Sequence, residues 1–416
     1  MFLAIPRGII YHRLTDDLKW LIFSLFAKLD DPCKIRDFES TFSRTLGRKH
    51  CIAFPLARTA IYFSLKAQSF PLGSEIIMPP ITIKGIFDVV LELKLKPVFV
   101  DINPETLSFD EDALKSAVTN NTRAIIITYL FGMVPNVENM VRLCKENNIF
   151  VIEDFSQCLN GRYGGKKTGT FGDVGVYSAS SIKTLDTFGG GIAVCDDDIL
   201  SAKLRASFTT LAPPNRKILF GKIVTNVIRN VATNRLIFNF LTLPAIKLMN
   251  ILRPNSVMKQ TGERSDAMIL SLPAEWFCSY SSFQAAIGLE LLERLTMIDT
   301  ARIANAEKIK QRVKAIRFPK GVPNGENVYW QLLAYLDEPL SFQRKLHKLN
   351  VDTASTSLMK ISNLPAYPVQ GHTPNADRLY TSSLFIPAHH NLSEGDIEYV
   401  ISAVKSIYAS RPGESV

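Results

Sequence analysis

The chain has 416 residues, 46% of them hydrophobic and 21% charged, which is typical of a globular protein with more than one domain. Its net charge of +9 does not predict nucleic-acid binding, because the charge is concentrated in one segment. Residues 199–262 contain ten Lys and Arg and no Asp or Glu, a local charge of +10, so the rest of the chain is close to neutral.

The sequence lacks the signals of a secreted or membrane-spanning protein. The first residues, MFLAIPRGIIYHRL, do not have the basic and apolar regions of a signal peptide, and no window is apolar enough to span a bilayer. The six cysteines are scattered, with no C-x-x-C pair and no metal-ligand spacing. We therefore expect buried thiols in a reducing compartment, no metal site and a cytoplasmic location.

Short apolar strands alternate with helices from residue 36 to residue 196. The predicted helices are 36–48, 57–68, 84–93, 110–118 and 136–147. The predicted strands are 74–80, 96–102, 123–130, 149–155, 174–180 and 190–196. This alternation predicts parallel βαβ units and a sheet with helices on both faces.

Past residue 290 the pattern changes to that of a smaller α+β domain. Predicted helices at 306–316, 340–350 and 394–410 surround a predicted strand at 328–336. In the larger sheet, ligands are expected beyond the carboxyl ends of the strands. Asp154 follows one strand, Ser178 and Lys183 lie at or past another, and Arg58 and Thr59 open a helix after a third apolar run. All these residues fall on one predicted edge of the sheet.

Lys183 is the most distinctive of them. In GVYSASSIKTLDTFGGGIAV (175–194) this lone lysine lies between a serine-rich turn and three glycines. A poorly solvated lysine loses its proton more readily, and the neutral amine can form a Schiff base with a carbonyl. The alternative is an ordinary surface lysine in a loop.

The other residues suit a phosphorylated ring. Asp154 could keep a ring nitrogen protonated, although a helix cap or an ion pair is the commoner role of an aspartate at the end of a strand. Arg58 and Thr59 at a helix start, with Ser178 in a turn, could bind phosphate through amides, a hydroxyl and a guanidinium. Thr59 could instead be a simple N-cap.

Taken in chain order, the phosphate helix, the aspartate, the serine and the lysine resemble the DegT/DnrJ/EryC1/StrS family of sugar aminotransferases, which use pyridoxal 5′-phosphate (PLP). The resemblance runs from about residue 35 to about residue 410, apart from the basic segment, and is most specific over 151–194. It is carried by ARTAIYFSLKA, SEIIMPPITIKGIFDVV, KPVFVDINPETLSFD, RAIIITYLFGMVPNVENM, VIEDFSQCLNGRYGGKKTGTFGDVGVYSASSIKTLDTFGGGIAV, SSFQAAIGLELLERL and SLFIPAHHNLSEGDIEYVISAV.

The resemblance implies an α/β fold of PLP-transferase fold type I. The expected large PLP-binding domain spans 35–198, with a seven-stranded, mostly parallel sheet between helices. An N-terminal segment at 1–34 precedes it, a basic, apolar helical insertion at 199–275 follows it, and a connecting helix with a small α+β domain occupies 276–416.

The family's site residues carry over one by one. Lys183 matches the lysine that forms the Schiff base with PLP, and Asp154 matches the partner of the pyridine nitrogen. Gln157 matches the glutamine beside the ring hydroxyl, and Ser178 a phosphate-binding serine. Arg58, Thr59 and Ile83 match the phosphate-binding helix start and the residue that packs on the ring.

Several positions depart from the family pattern. Arg58 stands where the family has threonine, Ile83 where it often has an aromatic residue, and Tyr129 where it often has histidine. Phe277 and Ser279 replace an asparagine and an arginine, of which the asparagine reaches the neighbouring subunit's phosphate. These changes put the contact between subunits in doubt and leave the lysine chemistry intact.

The implied function is the transfer of an amino group from an amino acid, L-glutamate by analogy, to a nucleotide-linked keto-sugar. The product would be an amino sugar for a cell-surface polysaccharide, lipopolysaccharide or secondary metabolite, and the enzyme a homodimer with shared active sites. Lys183 argues against the branch of the family that has histidine there and dehydrates its substrate. Two rivals stay open: a membrane-surface protein that keeps the fold without activity, and a PLP aminotransferase of a lipid-linked or non-sugar ketone.

The basic segment at 215–256 has three interpretations. Its basic charge and apolar helical faces could lie on an anionic membrane, which predicts a peripheral contact at the inner face of the membrane. The same apolar residues could be core near the active site and the dimer partner. The charge could instead receive the diphosphate of a nucleotide- or lipid-linked sugar. The apolar residues in question are Leu219, Ile223, Ile228, Leu236, Phe240 and Leu243.

Overall fold

The computed structural model describes residues 3–252, 269, 271–356, 358–364, 367 and 372–409. The predictions that concern 253–268, including Arg253 and Lys259 of the basic segment, lie outside the described residues, as does the predicted end of the last helix at residue 410. The α-helices are α1 (Leu14–Ser24), α2 (Pro32–Leu46), α3 (Ala57–Lys66), α4 (Lys84–Glu92), α5 (Glu111–Ala117), α6 (Val137–Glu146), α7 (Asp198–Ala206), α8 (Arg216–Thr233), α9 (Arg235–Ile237), α10 (Leu243–Leu252), α11 (Ser282–Leu292), α12 (Leu295–Arg312), α13 (Pro339–Lys348), α14 (Pro374–Thr381) and α15 (Glu394–Ala409).

The strands include the six predicted ones of the large sheet, each one to three residues shorter than predicted. They are β1 (His50–Phe54), β2 (Glu75–Met78), β3 (Ile81–Thr82), β4 (Lys96–Phe99), β5 (Thr122–Thr128), β6 (Phe150–Asp154), β7 (Arg162–Tyr163), β8 (Lys166–Lys167), β9 (Val174–Ser178), β10 (Gly191–Cys195), β11 (Gly325–Glu326), β12 (Leu332–Tyr335), β13 (Met359–Lys360) and β14 (Ser383–Ile386). The predicted strand at 328–336 is reduced to β12, because Tyr329 has a φ of +45° and interrupts the extended chain.

Seven strands form one sheet in the order β1-β10-β9-β6-β5-β2-β4. Strands β9, β6, β5, β2 and β4 are parallel, and β10 runs antiparallel to both of its neighbours. This arrangement confirms the predicted fold, an α/β protein of PLP-transferase fold type I with a seven-stranded, mostly parallel sheet.

The sheet is covered on both faces, as its continuous apolar strands require. Alternate residues of each strand enter two separate cores, for example Ile77 and Val151 on one face and Ile76 and Ile152 on the other. A third core unites the C-terminal elements with residues such as Phe131 near the end of β5. The C-terminal elements therefore pack at the edge of the sheet where the parallel strands end.

Helix α1 and the basic segment form one unit. His12 bonds to Asp17 of α1 at 2.7 Å, and Asn230 of α8 donates to Asp17 at 2.8 Å and to the His12 carbonyl at 3.0 Å. Burial lowers the pKa of His12, but the carboxylates of Asp186 and Asp17 raise it by a larger amount. The net pKa of His12 therefore lies above its ordinary value. The N-terminal segment is thus part of the fold, and α2 begins at Pro32, before the predicted domain boundary.

The apolar residues of the basic segment do not share one environment. Leu219, Ile223 and Leu243 are buried, so for them the core interpretation is confirmed. Ile228, Leu236 and Phe240 are 59–67% exposed. Among the described residues, no helix is long and apolar enough to cross a bilayer.

Candidate active site

Lys183 lies in the loop between β9 and β10, at the edge of the sheet where the parallel strands end. Its Nζ atom is 3.9 Å from the centroid of the Trp330 ring. The Trp330 indole donates to the carbonyl of Ile182 at 2.9 Å. Ile182 itself has a φ of +69°, which a β-branched residue adopts only when its surroundings impose it. Trp330 therefore fixes the strained turn that presents the lysine.

Arg302 of α12 ties together the two segments that hold Lys183 and Trp330. Its buried guanidinium donates to Thr184 Oγ1 at 3.2 Å and to the Val328 carbonyl at 2.8 Å. Asp299 balances its charge through an ion pair. This connection spans 118 residues of sequence, and no local pattern indicates it.

Asp154 is the last residue of β6, and its side chain is buried below the same edge. One carboxylate oxygen accepts from the amide of Ser156 at 3.1 Å. Burial raises the pKa of Asp154, and the hydrogen bonds from Ser156 and the charge of Lys183 oppose that rise. The acid and the lysine are therefore close enough to influence each other.

The neighbouring acid, Glu153, points to the opposite face and has a structural role. Its carboxylate accepts from the Tyr129 hydroxyl and from the amides of Gly169, Phe171 and Gly172 at 2.6–2.9 Å. Tyr129, one of the departures from the family pattern, thus supports a buried carboxylate. Because successive side chains of a strand point to opposite faces of the sheet, the adjacent acids Glu153 and Asp154 can have different roles.

We expect Glu153→Gln to destabilise the protein without changing its chemistry. The amide has one acceptor oxygen for four donors, so at least one buried donor loses its partner, at a cost of about 1–3 kcal/mol. Urea unfolding would measure the loss. A turnover number per folded molecule reduced as strongly as that of an Asp154 variant would contradict this separation of roles.

The start of helix α3 presents Arg58 and Thr59. The Thr59 hydroxyl donates to the carbonyl of Trp276 at 2.7 Å, so it is directed to the protein and not to a ligand. The Arg58 guanidinium lies 4.4 Å from the centroid of the Trp276 ring. Of Arg58 and Thr59, Arg58 is therefore the better placed to bind an anion at this helix N-terminus.

The remaining predicted residues surround the same edge. Ser178, the last residue of β9, shares a hydrogen bond of 2.8 Å with Ser180. The Gln157 side-chain oxygen accepts from the Phe131 amide at 2.8 Å. Ile83 is partly buried and packs against both the core of the sheet and the core of the C-terminal elements. Register places Phe54, Gly191 and Ser178 side by side across three strands.

The two positions that lack the family's polar residues have other partners in this chain. Phe277 packs edge-on against Tyr62 and Phe63 of α3, with ring centroids 5.4 and 6.1 Å away. The Ser279 amide donates to the Ala212 carbonyl at 2.7 Å. Sequence analysis could not place these residues, because their partners come from distant segments.

Two glycines let cationic side chains approach the backbone closely at this edge. A Cβ on Gly85 would lie 2.7 Å from an Arg58 nitrogen, and one on Gly189 would lie 2.7 Å from Lys222 Nζ. A buried carboxylate, an amine, hydroxyls and a guanidinium are the donors and acceptors that a phosphorylated pyridine ring with an aldehyde requires. The site therefore fits PLP.

Sequence analysis missed Trp276, Trp330 and Lys222. The signal for the two tryptophans was that the chain has only three of them.

Comparisons with known proteins show the family and the fold of the chain. The profile of the DegT/DnrJ/EryC1/StrS aminotransferase family matches residues 28–215 and 279–405, well over half of the chain. The chain is 26% identical over 383 residues to GDP-perosamine synthase of Caulobacter vibrioides, covering 90% of each. It is 23% identical over 398 residues to the spore coat polysaccharide biosynthesis protein SpsC of Bacillus subtilis, covering 90% and 89%. The crystal structure of the sugar aminotransferase CalS13 from Micromonospora echinospora superposes with a TM-score of 0.75 at 21% identity, covering 97% and 99%.

Proposed function

Because the chain belongs to the DegT/DnrJ/EryC1/StrS aminotransferase family, we propose that it uses PLP to transfer an amino group from L-glutamate to a nucleotide-linked keto-sugar. The observation that carries this proposal is the placement of Lys183 and the buried Asp154 at the same carboxyl edge of the sheet. The names of two relatives, GDP-perosamine synthase and a spore coat polysaccharide biosynthesis protein, concern perosamine and a polysaccharide. We therefore assign the product to an amino sugar of a cell-surface polysaccharide, lipopolysaccharide or secondary metabolite.

Lys183 and Asp154 have complementary roles in the proposal. When bound, PLP supplies an electron sink for the negative charge that develops at the α-carbon of the amino donor. Lys183 would hold the cofactor through its amine, and the same amine would move a proton to and from that carbon. Asp154 holds a proton at the ring nitrogen, and its burial makes that charged contact strong.

The other residues hold and orient the cofactor. Arg58, Ser178 and the amides of the α3 start bind the phosphate, while the Thr59 hydroxyl anchors the helix to Trp276. Gln157, which accepts a hydrogen bond from the Phe131 amide, would contact the ring hydroxyl. Ile83 packs on the ring face through its apolar surface.

The half-reaction tests this function without knowledge of the sugar. We expect the PLP-loaded protein to release 2-oxoglutarate from L-glutamate in an amount equal to the enzyme, and to regenerate with a keto-sugar nucleotide. L-Glutamine and L-aspartate serve as competing donors. Failure of every amino acid to react would contradict an aminotransferase, and faster reaction with a donor other than glutamate would reassign the donor.

A homodimer with shared active sites forms part of the proposal. The site lies at an open edge of the sheet, and the segment at Phe277 and Ser279 borders it. We expect mass photometry to give twice the chain mass of 46.5 kDa. An active monomer would contradict shared sites.

Peripheral membrane contact is a second candidate property, favoured by the exposed apolar side chains of residues 236–252. These are Leu236, Phe240, Leu241, Leu248, Met249 and Leu252, each 50–70% exposed. Arg235 is paired with Asp396, and Lys247 donates to Asn350, so apolar contact would contribute more than lipid charge. We place the protein in the cytoplasm, at the inner face of the membrane.

Liposome flotation tests this contact. We expect Phe240→Ser with Leu241→Ser to abolish flotation, and Leu72→Ser, an even more exposed apolar position outside this segment, to leave it unchanged. Equal flotation of both variants, or none of the wild type, would contradict the membrane contact and leave the aminotransferase proposal untouched.

A further inference from the structure

Lys222 of the basic segment reaches the candidate active site. It lies on α8, and a Cβ on Gly189 would lie 2.7 Å from its Nζ and 3.6 Å from the side-chain nitrogen of Gln284. Gln284 in turn donates to the carbonyls of Thr187 and Gly189 at 3.0 and 2.9 Å. The ammonium group therefore lies over the glycine turn that leads into β10.

This turn is pressed against the start of helix α3. Leu56, the residue before the helix, forms a β-bridge with Gly190. A Cβ on Gly191 would lie 2.1 Å from the Leu56 carbonyl, so only glycine allows this approach. Leu56 and Lys222 line one cavity. Lys222 is thus beside the amides of a ten-residue helix, whose N-terminus favours anions.

Lys222 is one of two cations that meet there. Burial lowers the pKa of Lys222, and the charge of Arg58 lowers it further, while Asp186 opposes the change. Within the described part of the chain, Lys222 takes part in no ion pair, whereas Arg235 of the same basic segment does. Because the half-buried Lys222 lies beside a helix start and no carboxylate of the described residues is within ion-pair distance of it, its environment favours a bound anion.

We propose that Lys222 is a ligand of the cofactor's phosphate, so that helix α8 completes the phosphate site from within the same chain. This inference rests on the proposed PLP-dependent function. The anion that these groups select is a phosphate dianion, because a guanidinium, an ammonium and helix amides together match its charge and its oxygens. The diphosphate of a nucleotide-linked sugar carries the same chemistry, and the experiment separates the two sources.

The dense packing of α8 explains how a lysine can be fixed at this place. The buried Leu219 and Ile223 flank Lys222 in sequence, and Asn226 contacts His12 at 3.1 Å. The helix therefore cannot turn its lysine away without exposing core. Part of the basic charge of the segment has a role inside the protein, independent of any membrane.

Titration of the cofactor-free protein with PLP, with pyridoxal, which lacks the phosphate, and with a nucleoside diphosphate tests the inference. We expect Lys222→Gln to weaken PLP binding roughly 10- to 100-fold, since charged hydrogen bonds contribute that much. Pyridoxal binding should stay within about 2-fold of the wild type, and Lys222→Arg should restore most of the PLP affinity. The matched control is Lys217→Gln, an exposed lysine of the same helix, which should change neither affinity.

Three results would overturn the inference while the proposed function stands. The first is an unchanged PLP affinity in Lys222→Gln, and the second is an equal weakening of PLP and pyridoxal binding. The third is weaker binding of a nucleoside diphosphate alone, which would reassign Lys222 to the substrate. A wild-type protein that binds neither PLP nor pyridoxal would instead overturn the proposed function itself.

Discussion

Replacing Lys183 with arginine is expected to reduce transamination by at least roughly 10³-fold, because a permanently protonated guanidinium can neither attach the cofactor nor move a proton at the donor carbon. Arginine keeps the positive charge near Asp154 and can keep a cation over the Trp330 ring. The fold should therefore be preserved, and the loss can be assigned to chemistry. Single-turnover release of 2-oxoglutarate measures the effect.

Borohydride treatment followed by peptide mass analysis provides the independent readout. The wild type should carry a pyridoxyl adduct on the peptide that contains Lys183, and Lys183→Arg should carry none. Lys167→Arg is the control, because Lys167 is bonded to the Thr45 carbonyl away from the site and should leave the adduct unchanged. An adduct on another lysine of the wild type would refute the assignment of Lys183.

Replacing Asp154 with asparagine is expected to separate activity from stability. Activity should fall roughly 10²- to 10⁴-fold, since the neutral amide cannot hold the ring nitrogen protonated. The cofactor-free protein should become more stable by about 1–2 kcal/mol, because a buried carboxylate is removed and the amide oxygen can still accept from Ser156. Activity and stability would then change in opposite directions, as is typical of a functional residue.

The pH dependence provides a check of this mechanism. Because burial raises the folded-state pKa of Asp154, the ionised carboxylate destabilises the cofactor-free fold above the pKa of the unfolded chain, near ~3.9. The stability gain of Asp154→Asn should therefore be present at neutral pH and vanish as the pH falls below about 4. Glu153→Gln is the matched comparison on the same strand, where stability should fall and activity should not. A stability loss in Asp154→Asn as large as in Glu153→Gln would show that Asp154 is structural.

The sequence predicted that residues at the ends of the parallel strands lie together, because parallel βαβ units bring the carboxyl ends of their strands to one edge of the sheet. Asp154, Ser178 and the start of α3 could therefore be grouped before any coordinates were known. Strand alternation alone did not say which of the adjacent acids faces the site, since both faces of the sheet are covered. The partners of Glu153 come from residues 129 and 169–172 and emerge only when the strands are paired.

The basic segment shows the opposite case. Its charge was evident from the sequence, but its residues divide among a buried face on α1, an exposed apolar stretch and a lysine at the active site. Hydrophobic periodicity cannot tell which of these residues are buried and which are exposed. A helix that packs on one side and contacts a second element at its end does not show a single stripe of apolar residues. The role of each side chain depends on which distant segment lies opposite.

The sequence by itself determined the alternation of strands and helices and the common edge on which the site residues lie, because these follow from local periodicity and the geometry of parallel strands. The fold type followed from the resemblance of its motifs to a known family. Only the tertiary structure decided that Trp330 and Arg302 fix the lysine loop, that the Thr59 hydroxyl is directed to Trp276, and that Lys222 lies over Gly189. Each of these contacts joins residues between 33 and 217 positions apart, and such pairs are formed by packing of whole elements, which no short stretch of sequence encodes.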